Sequence, residues 1–279
     1  MRKLLLVLVA LTGMATLAAA GGPQEETSGS IRLSMGGSTT VEPIITNAIE
    51  IYVDAIDPGA VLSYDAPGSS AGIRGVLDGT YDLGAASRGL KESETEAGAV
   101  ATQIAVDGLA VIVNGSVPID DLTLEQVAAI FVGDINNWSE LGGPDADIVV
   151  VNRDEASGTR GAFVEIVLDA FYEDPIFDED LVTESNGNMG TMVAQTPYAI
   201  GYASLSVLPA LRQAGGKSLS IAGVTDDIPN IISGAYPIAR PLNVVTKGPA
   251  TGDALTFINF LLSPDGQDIV ESVGYIRMQ

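Results

Sequence analysis

Neither cysteine nor histidine occurs anywhere in the 279-residue chain. Without cysteine there are no disulfides, no thiolate metal ligands and no lipid attached through a cysteine. Without histidine, the usual zinc sites and every His-dependent catalytic triad are excluded as well. Basic side chains are scarce, 13 against 36 acidic ones, and the net charge is −23. Nucleic acids and anionic lipids both need a positive surface, so neither is expected as a partner. Only four of the thirteen basic residues are lysines, a balance compatible with a salty habitat. The acidic excess is scattered, and its one local cluster, Lys91-Glu92-Ser93-Glu94-Thr95-Glu96, reads as a solvated surface.

Several motifs come close and fail. No G-x-G-x-x-G is present, so a dinucleotide site has no support. Gly216-Lys217-Ser218 ends like a phosphate loop, but Leu211 stands where the first glycine belongs, and an ordinary surface turn is expected. Gly68-Ser69-Ser70-Ala71-Gly72 satisfies G-x-S-x-G between a strand and a helix, yet Ser70 has no histidine to serve as its base. The pairs Asp120-Asp121 and Asp226-Asp227 lack calcium-loop spacing and read as solvated turns.

What remains describes a folded, exported chain. Hydrophobic residues make up 46% and charged ones 18%, which argues against disorder, and the length allows two domains. Residues 1–20 have the form of a secretory signal: Arg2 and Lys3, the apolar run Leu4–Leu11, then Ala18-Ala19-Ala20 for cleavage. An uncleaved membrane anchor is the alternative, but Thr12 and Gly13 break the run short of the ~20 residues a span needs. Residues 21–30 read as a flexible leader.

Strands alternate with helices, the α/β pattern, and one unit recurs three times. Ile31–Met35 leads through Gly36-Gly37-Ser38-Thr39-Thr40 into a helix with Ile44, Ile45, Ala48, Ile49 and Tyr52 on one face. Val61–Tyr64 leads through Ala66-Pro67-Gly68-Ser69-Ser70 into a helix carrying Ile73, Val76 and Leu77. Ile148–Val151 leads through residues 152–159 into a helix through Phe163, Ile166, Val167 and Ala170. Helix starts present free N–H groups and a positive dipole end, and glycine and hydroxyl side chains there suit an anion. The ordinary reading of any one such turn is a Ser or Thr helix cap. Three turns, the third with Arg153 and Arg160, shift the balance toward a shared oxyanion site.

Asp82-Leu83-Gly84-Ala85-Ala86-Ser87-Arg88 adds another arginine after a buried-looking strand. A guanidinium fork matches a tetrahedral anion, at roughly 1.5–3 kcal/mol per charge-assisted bond. Other segments read as structural. Thr123 with Gln126 forms a capping-box pattern, Trp138 is a core anchor, and Thr251-Gly252-Asp253 opens a last helix with Leu255, Ile258 and Leu261.

The sequence resembles the extracytoplasmic phosphate-binding protein of ABC-type phosphate importers. The resemblance rests on GGSTTVEP at 36–43, PGSSAGI at 67–73, DLGAASR at 82–88 and LTLEQVAAIFVGDINNWSELGG at 122–143. NRDEASGTRGAF at 152–163 and SNGNMGTMVAQTPYAIGYASL at 185–205 complete it, in family order over nearly all of the mature chain. It implies the two-lobed periplasmic-binding-protein fold, each lobe a mixed sheet flanked by helices, with two hinge crossovers. Residues 31–105 plus 236–279 are expected to form one lobe and 106–235 the other, hinged near Val106-Asp107-Gly108 and Tyr236-Pro237-Ile238.

The resemblance further implies an inorganic phosphate ligand. Thr39 and Thr40, Ser69, and Arg153 with Ser157, Gly158 and Thr159 would bind it, while Glu155 would hold Arg153 in place. Where better-known members carry an aspartate that accepts the proton of hydrogen phosphate, this chain has Ser87 followed by Arg88. A hydroxyl both accepts and donates, so the filter against sulfate is less strict, and Arg88 would favour any dianion. The expectation is therefore a non-enzymatic, extracytoplasmic monomer that delivers phosphate to an ABC-type permease, with no cofactor, metal or catalytic residue. The alternatives are a binder of sulfate or molybdate, a secreted phosphate-site enzyme, and a sensor that meets no transporter.

Overall fold

Ala99–Val113 is a near-continuous run of small and branched apolar residues, and it forms one fifteen-residue strand. The strands around it build the fold. In a computed structural model, which describes residues 29–278, three parallel strands come first: β1 (Arg32–Gly37), β2 (Val61–Asp65) and β3 (Leu83–Ala86). Helices α1 (Glu42–Ala55) and α2 (Ser69–Asp78) connect them. The short α3 (Glu92–Glu96) then leads into the long strand, β4. The expected signal and residues 21–28 of the leader lie outside the described residues.

Next come β5 (Asp121–Leu122), α4 (Leu124–Phe131), β6 (Val149–Arg153), α5 (Gly158–Phe163), β7 (Leu181–Thr183), α6 (Asn186–Gln195) and β8 (Ala199–Ser204). They are followed by α7 (Leu208–Gln213), β9 (Lys217–Ser218), β10 (Ser220–Ile221) and α8 (Ile228–Ile232). The chain ends with β11 (Ala239–Lys247), α9 (Gly252–Leu262), α10 (Pro264–Ser272) and β12 (Ile276–Arg277). One mixed sheet runs β2-β1-β3-β11-β4-β8-β6-β7, with β9 and β12 also on β4.

β4 makes this single sheet serve two cores. Residues 99–108 pair with β11 and residues 109–113 with β8. Its N-terminal half faces a core built from Leu33, Ile44, Ile45, Tyr52, Ile104, Val244, Phe257 and Leu261. Its C-terminal half faces another, around Val111, Phe131, Trp138, Val151, Phe163 and Tyr202. Buried apolar area at ~25 cal/mol per Å² stabilises each core without requiring the two to merge. A cleft between them can then be lined by polar groups.

Several sequence expectations meet the structure directly. The apolar face of α1 buries Ile44, Ile45, Ala48 and Tyr52, and Pro43 in its first turn suits a position that needs no N–H partner. Thr123 and Gln126 close their capping box in both directions. Trp138 is wholly buried, its indole N–H donating to the Tyr198 carbonyl at 2.9 Å. Other expectations needed correction. Lys217-Ser218 is no turn but pairs as β9 on β4, because β11 stops at Gly108 and leaves the side of Ile112 and Val113 away from β8 open to it. The helix opened by Thr251-Gly252-Asp253, α9, holds Leu255, Ile258 and Leu261 but is not the last, because Ser263 caps a further helix, α10. Leu255 is exposed, and the buried side of α9 is Phe257, Ile258, Phe260 and Leu261. Among the described residues no helix is long and apolar enough to cross a membrane.

Candidate anion site

The three Gly/Ser/Thr turns converge at the seam between the cores. Thr39 and Thr40 follow β1, Ser69 opens α2, and Ser157-Gly158-Thr159 opens α5. The Thr40 and Thr159 hydroxyl oxygens lie 3.2 Å apart, and the Ser69 and Ser87 hydroxyl oxygens 3.4 Å apart. Thr40, Ser69, Ser87, Arg153, Ser157 and Thr159 are all buried.

Backbone geometry explains how the turns fit so closely. Gly68 has φ +96°, a conformation that suits glycine, and a Cβ on it would stand 2.8 Å from the Ala156 carbonyl oxygen. The next N–H but one, at Ser70, donates to that carbonyl at 3.1 Å and ties the second turn to the third. A Cβ on Gly158 would lie 2.1 Å from Ser69 Oγ and 2.8 Å from Ser87 Oγ. Only a residue without a side chain lets the start of α5 close on both serines.

Simple capping accounts for one turn of the three. Ser157 caps α5, its Oγ accepting from the Arg160 N–H at 3.2 Å. The cap positions of α1 and α2 are Val41 and Gly68, neither with a side-chain cap bond. Ser38, three residues before Val41, instead accepts from the N–H groups of Thr40 and Val41. The first N–H groups of α5, at Gly158 and Thr159, have no carbonyl a turn earlier within the helix.

Arg153, at the end of β6, carries the charge. Its Nε donates to the Thr183 carbonyl at 3.1 Å, and Nη2 donates to the Glu184 carbonyl at 2.9 Å and the Thr39 hydroxyl at 3.2 Å. Thr39 Oγ1 also accepts from the Asn186 N–H at 3.3 Å. Nη1 is buried and has no hydrogen-bond partner. Burial pulls the guanidinium down to about 10, only partly opposed by the Asp154 carboxylate 3.9 Å away, so it stays charged at neutral pH. The acid beside Arg153 is thus Asp154. Glu155 lines a separate groove with Arg88, Lys91 and Arg160.

Arg160 does not reach the turns. Its Nη1 donates to the Arg153 carbonyl at 2.8 Å and lies 3.3 Å from Glu179, while the guanidinium covers the Phe177 ring at 4.5 Å. It braces the loop that carries Arg153.

The comparisons with known proteins point the same way. A model described as "PBP superfamily domain" matches residues 22–265. "Phosphate-binding protein PstS" of Borreliella burgdorferi is 36% identical over 252 residues, covering 88% of this chain and 90% of that protein. The PstS of Bacillus subtilis is 36% identical over 256 residues, covering 91% and 82%. A phosphate ABC transporter substrate-binding protein from Clostridium perfringens, solved with bound phosphate, superposes with a TM-score of 0.81 at 36% identity, covering 90% of this chain and all of that one. The chain belongs to this family, the PstS phosphate-binding proteins of the periplasmic-binding-protein superfamily. Its two-lobed fold accounts for the two cores.

Within the family frame, one expected residue turns away. Arg88 is buried, but its guanidinium forms a fork with Glu94, Nη2 to Oε1 at 2.7 Å and Nη1 to Oε2 at 2.8 Å. Its remaining bonds go to the Gly89 carbonyl and the Ser70 hydroxyl. The acidic cluster at 91–96 is therefore not simply solvated, since Glu94 is recruited inward. Burial acts to raise the Glu94 carboxyl, yet the hydrogen bond from Arg88, the Lys91 N–H and the two charges outweigh it, and the group lies below its ordinary value.

Two site residues escaped the sequence reading. Arg240 on β11 and Asp107 on β4 face each other across the strand pair and are fully buried. Burial pushes the Asp107 carboxyl up, against the pull of Arg240 and of the Ser204 hydroxyl. The available signal was a lone arginine in the apolar stretch Ile238–Val245 and a lone aspartate in Ile104–Val113. Among the described residues no group of three acidic side chains is placed to hold a metal ion.

Proposed function

We propose that the chain captures inorganic phosphate in the cleft between its two lobes and delivers it to an ABC-type permease in the membrane, without catalysing a reaction. The observation that carries this reading is Arg153 Nη1. It is a buried cationic donor with no protein partner, on a guanidinium otherwise fully engaged, among converging hydroxyls. Leaving such a donor unsatisfied costs about 1–3 kcal/mol or more, and an anion oxygen removes that cost. The same ligand class is named for the relatives, in PstS and in the phosphate-bound Clostridium perfringens structure.

In this reading Thr39, Thr40, Ser69 and Ser87 supply hydroxyl and backbone donors from the first lobe. Arg153, Ser157, Gly158 and Thr159 supply theirs from the second. Arg88 acts through the loop it braces. The separate core memberships support lobes of 31–105 plus the C-terminal segment and of 106 onward. We draw the second crossing at Ala239, because Tyr236 and Ile238 pack in the second core. Phosphate would enter the open cleft and the lobes would close by bending near Asp107 and Ala239. The net charge of −23 does not oppose this, since exposed charges beyond ~8 Å are screened at physiological salt.

Members of this family work outside the cytoplasm, and export through the segment 1–20 and action as a monomer belong to the same proposal. A second reading, capture of sulfate or molybdate, draws on Ser87 and on Asp107 being committed to Arg240. Calorimetric titration of phosphate-stripped protein with phosphate and then sulfate separates the two. Saturable heat with sulfate and none with phosphate would replace the first reading by the second.

A further inference from the structure

Arg240 uses every N–H it has. Its Nε and Nη2 donate to Asp107 Oδ2 at 3.1 and 2.8 Å. Nη1 donates to the Ser87 carbonyl at 3.0 Å and to Thr159 Oγ1 at 2.8 Å, and Nη2 also donates to Thr40 Oγ1 at 3.4 Å. A guanidinium has five N–H groups, and all five are accounted for. The other Asp107 oxygen accepts from the Ser204 hydroxyl at 2.8 Å and the Leu205 N–H at 3.3 Å.

We propose that Arg240, clamped by Asp107, is a positioning residue of the anion site, fixing the Thr40 and Thr159 hydroxyls as donors to the ligand. The inference rests on the phosphate-cleft reading and deepens it. Arg153 keeps a free nitrogen and can touch the anion, whereas Arg240 has none left. A threonine hydroxyl holds one hydrogen and two lone pairs. When a guanidinium N–H occupies a lone pair of each threonine, the hydroxyl hydrogens must point away from it. The two oxygens lie 3.2 Å apart, so one hydroxyl can donate to the other until an anion bound beside the pair takes both hydrogens. Asp107 neutralises Arg240, so the effect is one of orientation rather than added charge. Because Thr40 belongs to the first lobe, Thr159 to the second and the ion pair to the strands crossing between them, the same contact forms only when the lobes are closed.

The test is a calorimetric phosphate titration of the full chain. Asp107→Leu/Arg240→Met removes both charges together, since deleting one would bury the other unpaired, and apolar replacement of a whole pair commonly preserves the fold. This variant should melt within a few degrees of the parent yet bind phosphate at least about tenfold more weakly. Thr159→Val should weaken the parent by a similar factor but the double variant by less than about threefold, because the two changes remove one linked arrangement. If the double variant does not fold, Arg240→Lys takes its place. Lysine keeps the charge beside Asp107 but cannot span both threonines, so a merely structural ion pair predicts parental affinity and positioning predicts the loss. Parental affinity in either variant, or losses that simply multiply, overturns the inference and leaves phosphate capture standing. A parent that binds no phosphate overturns both.

Discussion

The hydroxyl oxygens of Thr40 and Thr159 lie 3.2 Å apart although 119 residues separate them in sequence. Thr40 precedes a helix that packs in one core, and Thr159 begins a helix that packs in the other. The contact joins the groups that the two cores position, and its neighbours supply consequences that can be measured.

Arg153→Ala removes the buried cation whose Nη1 lacks a partner. Two charge-assisted bonds at roughly 1.5 kcal/mol each correspond to at least about a hundredfold loss of phosphate affinity. The carbonyls of Thr183 and Glu184 lose their donor, so a modest drop in melting temperature is expected. Calorimetry alongside a melting curve checks both, and parental affinity would remove Arg153 from the site.

Gly158→Ala leaves the backbone unstrained, since Gly158 lies at the first turn of α5 without a positive φ. The added methyl would meet Ser69 Oγ at 2.1 Å and Ser87 Oγ at 2.8 Å. The conflict exists only when the lobes are together. Phosphate affinity should fall at least about tenfold while the melting temperature of ligand-free protein stays near parental. Small-angle scattering should show the parent contracting when phosphate is added and the variant failing to do so.

Ser87→Asp places a carboxylate beside Ser69 at a buried position. A carboxylate accepts the proton of hydrogen phosphate and repels fully deprotonated sulfate. The ratio of phosphate to sulfate affinity should rise by about tenfold or more, as competition binding would show.

Acid should loosen the brace behind the site. Glu94 lies below its ordinary 4.5, so the stability it contributes is fully present above that value and is lost as pH falls through the lowered one. Glu94→Gln cannot titrate. Parent and variant should therefore differ in melting temperature at neutral pH and converge as the pH drops below about 4.5. A gap that persists undiminished into strong acid would show that the charge of Glu94 is not what Arg88 needs.

Local signals carried much of this structure. The 3.6-residue spacing of Ile44, Ile45, Ala48 and Tyr52 predicted a helix because one apolar stripe must face a core, and it does. Thr123 and Gln126 predicted a helix start because both bonds of a capping box lie within four residues. Gly, Ser and Thr at three strand-to-helix turns marked the candidate anion groups, which the fold brings together, since a helix start lacks N–H partners whatever surrounds it. Glu94 and Arg240 were hidden for the opposite reason. A carboxylate in Lys91–Glu96 looks solvated until an arginine on a neighbouring loop claims it, and Arg240 gains meaning only from Asp107, 133 residues earlier.

The sequence by itself determined the α/β order, the absence of thiol, imidazole and zinc chemistry, and which turns could present donors to an anion. These follow from residue type and short-range spacing, and no fold is needed to read them. The tertiary structure alone decided which donors face one another and which are spent elsewhere. Arg153 keeps a nitrogen free, Arg88 is drawn off by Glu94, and Arg240 is consumed by Asp107, Ser87, Thr40 and Thr159. All three are arginines among small polar residues, and only the distances between distant segments, set by one long strand shared between two cores, tell them apart.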